Sequence, residues 1–66
     1  MTDAELQHLR GMLTLQRHTL VRTLCAAVVE ERMLEPAVVR LLADVHIAIA
    51  AVDAAFAEAD TVKEDA

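Results

Sequence analysis

The chain has 66 residues, a formal net charge of −5 and a hydrophobic fraction of 56%, with one Phe, one Cys and neither Trp nor Tyr. A chain this short holds one domain (1–66) and buries only about 60% of the surface that its unfolded form exposes, so disulfides, metals or oligomerisation usually supplement such cores. The lone Cys25 excludes an intrachain disulfide, and the acidic balance argues against a general binder of nucleic acid or anionic membranes.

The first residues, MTDAE, hold a helix start, because Thr2 or Asp3 can cap exposed amides and Thr2 with Glu5 matches a capping box. Asp3 and Glu5 also make the N-terminal stretch unlike a signal peptide. From about residue 4 to 33 the pattern predicts one long helix, with Leu6, Leu9, Leu13, Leu20 and Leu24 near one face, continued by Ala27 and Val28. Gln16 interrupts this stripe. Gly11 costs about 1 kcal/mol of helix propensity and is either a tolerated weak spot or a point of kinking or close helix approach. Around LCAAVV (24–29) the apolar surface spreads beyond one stripe, which implies contacts on more than one side and therefore assembly.

Pro36 lacks an amide proton, favours a first helical turn and pushes Glu35 out of the helical region, which places the break at about 34–35. Met33 and Leu34 are expected to fold over the turn end of the core. So short a connection makes the helices antiparallel neighbours; the alternative is one helix kinked at Pro36. The second helix, about 36–60, carries the strongest pattern: Val38, Leu42, Val45, Ile49, Val52, Phe56 and Ala59 alternate at spacings of four and three. Leu41, Ala48 and Ala55 widen the seam into the stripe of a bundle helix. Arg40 and Asp44 are spaced for an i,i+4 pair, and 61–66 reads as a frayed tail.

The candidate core and interface residues are thus Leu13, Leu20, Leu24, Val38, Leu42, Val45, Ile49, Val52 and Phe56. The expected fold is all-α, an antiparallel hairpin of two long helices that associates as a homodimer into a four-helix bundle. The longest apolar runs, 24–29 and 47–52, are far short of the roughly 20 residues of a membrane span, so no membrane association is expected. A cytoplasmic setting, with Cys25 as a buried thiol, matches the cysteine usage.

Chemistry is sparse. His8 with Met12 and His18 with Cys25 have helical spacings that suit soft metals, but two ligands on one helix need completing from elsewhere, and no metal or cofactor is predicted. His46 and Asp53 lie two turns apart and there is no serine, so no catalytic residues are predicted. The charge pattern says more: Leu6 to Val29 contains Arg10, Arg17 and Arg22 and not one acid. These arginines are candidates for pairing with Asp44, Asp53, Glu58 or Asp60 of a neighbouring helix, or for binding an acidic protein partner; nucleic acid is disfavoured because three arginines neutralise few phosphates.

Over residues 4–59 the hydrophobic pattern resembles, in architecture, the Rop-type RNA-binding proteins of plasmids, whose hairpins pair into four-helix bundles, although no RNA-contacting motif matches residue by residue. The leucine-bearing first helix, the turn at LEPAVV and the apolar second helix also resemble the small helical co-chaperones of type III secretion needle proteins. The first resemblance implies RNA binding by basic residues of the first helix, and the second implies covering an aggregation-prone partner. The residues themselves predict a non-enzymatic, self-associating interaction or regulatory module.

Overall fold

A computed structural model describes residues 2–65 of the chain, with side chains as far as residue 58. Two helices, α1 (Asp3–Val29) and α2 (Pro36–Asp65), fold back on each other as an antiparallel hairpin. A single helix kinked at Pro36 is ruled out by the ion pair between Arg10 and Asp53, 43 residues apart. The capping box is present: the Glu5 amide donates to the Thr2 hydroxyl at 3.1 Å and the Thr2 amide to the Glu5 carboxylate at 3.4 Å.

Helix α1 ends four residues before the expected Met33. The Arg32 amide donates to the Ala27 carbonyl at 2.8 Å and the Glu31 amide to the Val28 carbonyl at 3.1 Å, which is a Schellman closure. It requires Glu31 to adopt φ 57°. That position normally takes Gly or Asn, and the EER segment offers neither, so the stop was hidden from the sequence. A left-handed Glu costs about 1–2 kcal/mol. Glu31→Gly is therefore expected to stabilise the chain by about 1 kcal/mol and raise its melting temperature by roughly 4–8 °C, measured by thermal circular dichroism.

The connection consequently spans residues 30–35 rather than 34–35. Met33 is 91% exposed and Leu34 is also exposed, so neither covers the core as expected, because the early stop carries the connection out into solvent. Pro36 opens α2, and the Glu35 carbonyl accepts from the amides of Val38 and Val39, both at 3.1 Å. The backbone of α2 runs through Asp65, past the expected end at 60, since no Gly or Pro follows Pro36.

Heptad spacing defines the inner face of both helices. On α2, Val45, Ile49 and Val52 are buried while Val38, Leu42 and Phe56 are half-buried. Ala59, the last position of that seam, lies outside the described side chains. On α1 the inner line is Leu6, Arg10, Leu13, Arg17, Leu20, Leu24 and Ala27, with Leu6 and Ala27 buried and the rest half-buried. Leu9 (42% exposed) and Val28 (65%) are therefore off the seam. Gln16 points outward, and Arg17 occupies the position where the stripe is interrupted.

Thr14, Thr19 and Thr23 each donate to the carbonyl four residues earlier, which satisfies their hydroxyls inside the helix. A Cβ on Gly11 would meet nothing within 4 Å, so no close helix approach exists there. Gly11→Ala is expected to raise stability by up to about 1 kcal/mol, read from urea unfolding.

Candidate interaction surface

The two helices are tied by a bidentate pair, with Arg10 Nε at 2.6 Å from Asp53 Oδ1 and Nη2 at 3.3 Å from Oδ2. Both side chains remain about half exposed. The hydrogen bonds from Arg10 hold the Asp53 carboxyl below its ordinary range; partial desolvation opposes this, and the charges of Arg10 and Arg17 add to it. A depressed folded-state pKa means stability that is present above the unfolded value, about 3.9, and lost as pH falls through the folded value. The melting temperature is expected to drop on acidification below about pH 4, and by less in Asp53→Asn, as measured by melting across a pH series.

This pair also orients the hairpin. Arg10, Arg17 and Leu24 are seven apart and form one edge line of α1, and Val39, His46 and Asp53 form one edge line of α2. The Arg10–Asp53 bridge places both lines on the same flank. Towards the turn this flank becomes apolar, with Val21, Val28 and Val39 all exposed. Leu24, Cys25, Val28, Val29 and Leu34 line a shallow groove of about 310 Å³ there. Cys25 is exposed, contrary to the buried thiol expected, because it sits one residue, about 100°, round from the seam position of Leu24.

The three candidate arginines do not share a face. Arg10 is engaged by Asp53 and Arg17 is half-buried in the seam. Arg22 is exposed and lies about 140° further round the helix than Arg17, beside a depression of about 300 Å³ lined by Thr19, Thr23 and Ala26. Asp44 and Glu58 are exposed, and Asp60 lies outside the described side chains. Arg40 and Asp44 border an open depression of about 630 Å³ with Pro36, Ala37 and Leu41. Among the described residues these two do not close an ion pair, whereas Arg32 pairs with Glu30 in the connection.

His8, His18 and His46 are exposed, and among the described residues no group of three or more His, Cys, Asp or Glu is arranged to hold a metal ion. Among the same residues no helix is long and apolar enough to cross a membrane. What the structure offers instead is surface. The chain exposes 5254 Å², against about 4,100 Å² expected for a compact monomer of its mass. Its radius of gyration is 15.7 Å, against about 11 Å for a compact chain of this length.

No protein-family model, curated protein or solved structure matches the chain.

The likeness to Rop-type proteins and to secretion co-chaperones therefore rests on the hydrophobic pattern alone. The sequence sets Arg10 and Arg17 beside the leucine stripe, with their stems over apolar surface; the structure brings both into the inner line of α1 and pairs Arg10 with Asp53, one of the acids expected for it. Both continue the four-three spacing of Leu6, Leu13, Leu20, Leu24 and Ala27.

Proposed function

We propose that the chain is a non-enzymatic interaction or regulatory module that acts as a homodimer, two hairpins packing into a four-helix bundle. The observation that carries this reading is the surplus surface of about 1,100 Å² over a compact monomer, which matches or exceeds the roughly 800 Å² that each partner of a stable complex buries. The surplus belongs to a hairpin whose seam residues Leu24, Leu42 and Phe56 are only half-buried. A second hairpin would complete that core. Sedimentation equilibrium at low micromolar concentration tests it: the expected mass is twice 7.2 kDa, and a well-folded monomer overturns it.

The exposed apolar groove at the turn end favours a second reading, a small co-chaperone that covers a hydrophobic partner. That reading predicts an isolated chain of low stability that gains cooperative melting only with its partner. Rop-like RNA binding draws less support, because Arg10 is taken up by Asp53 and few free cations remain on α1 for phosphates.

A further inference from the structure

Resting on the homodimer reading, we infer that the second copy docks on the Arg10–Asp53 flank with its turn at the same end, about a two-fold axis parallel to the helices. Each α1 then lies between its own α2 and its partner's α2.

The choice of flank follows from composition. On the opposite side, α1 presents Leu9, Gln16 and Thr23 and α2 presents Leu41, Ala48 and Ala55. Leu9, Met12 and Leu41 are the exposed large apolar residues there, and Leu41 sits towards the opposite end of the hairpin from Leu9 and Met12. On the Arg10–Asp53 side, Val21, Val28, Val39 and Leu34 are exposed together next to half-buried Leu24. An isologous contact needs a patch that complements itself, and this contiguous apolar half provides one.

The direction follows from what each arrangement would cover. The flank is apolar in its turn half and polar from Arg17 and His46 at its middle to its open half, where Arg10, Asp53 and Gln7 lie. With turns at opposite ends, Val28 and Val39 of one copy would cover the Arg10–Asp53 pair of the other and strip both ions of water, which is unfavourable. With turns at the same end, apolar surface covers apolar surface, and each ion pair faces its symmetry mate among polar groups and water.

The charge pattern agrees. A two-fold axis parallel to the helices sets α1 beside the partner's α2, whereas a perpendicular axis in the interface sets α1 beside α1. From Leu6 to Val29 the first helix carries arginines and no acid, while α2 up to Glu58 carries Asp44, Asp53 and Glu58 against Arg40. The parallel axis therefore brings opposite signs together and the perpendicular axis like signs. Gathering the exposed Asp3, Glu5 and Glu58 of both copies at one end costs less, because such charges are screened within about 10 Å at 0.1 M salt.

Spin labels on single cysteines test the arrangement by pulsed dipolar distance measurement on the full chain. Met33→Cys and Glu35→Cys report the turn end and Ala4→Cys the open end, each in a Cys25→Ala background; all four positions are exposed. The parent and each labelled chain are first sedimented and their helicity checked. With neighbouring helix axes 8–10 Å apart, both ends should give inter-copy distances within about 25 Å. Turns at opposite ends would separate the turn labels by about 40 Å, the length of α1. Copies overlapping only through their turn halves would give short distances at the turn and long ones at Ala4→Cys. A long distance at either end in a chain of dimer mass overturns the arrangement and leaves self-association standing, whereas a monomeric mass for the parent overturns both.

Discussion

Ile49→Asp is expected to abolish folding and assembly together. Ile49 is 4% exposed at the centre of the α2 seam, between Val45 and Val52, where a carboxylate would be cut off from water. Leaving it charged there costs several kcal/mol, and protonating it requires a large pKa shift. Single domains have only about 5–15 kcal/mol of net stability, and a hairpin with five buried side chains among the described residues belongs at the low end of that range. Circular dichroism should therefore show loss of most helical signal and sedimentation should show an unfolded monomer. Unchanged helicity and mass would mean that the seam is wrongly placed.

Val28→Asp is expected to separate the two events. Val28 is 65% exposed in the hairpin, so a carboxylate there stays hydrated within one chain and costs the fold little. In the dimer it would be desolvated against the partner's apolar flank. The dimer dissociation constant is expected to rise at least ~100-fold, equivalent to about 2.8 kcal/mol, with helicity retained at concentrations high enough to restore assembly. Sedimentation over a concentration series measures the shift, and an unchanged dissociation constant would remove this flank from the interface. The pair of substitutions is informative because both place the same charge on an apolar position, one inside the hairpin and one outside it.

The two positions also show how legible the interaction surface was. Ile49 belongs to an unbroken run of apolar residues at alternating four-three spacing, and such a run identifies its own face without reference to a partner. The same logic puts Val28 in the α1 stripe, whereas the structure has it flanking the stripe, 65% exposed. The first helix has apolar residues on several sides around 24–29, so periodicity alone leaves the angle of its inner face open by a residue or more. The spread of apolar surface could be read from the chain. Which part of it stays uncovered depends on where α2 lies.

By itself, the sequence determined the elements whose causes are local. The capping box at Thr2 and Glu5, the break before Pro36 and the apolar seam of α2 depend on residue types a few positions apart, and helical spacing makes those visible. Only the tertiary structure decided the rest. Glu31 takes the left-handed conformation that ends α1 early, although nothing in its residue type announces it. The stems of Arg10 and Arg17 lying along apolar surface follow from their spacing, but which acid Arg10 meets at the edge, Asp53 and not Asp44 or Glu58, was settled by where α2 lies. The antiparallel return of α2, bringing Asp53 back across 43 intervening positions of chain, is what turns Arg10 into the clasp of the hairpin.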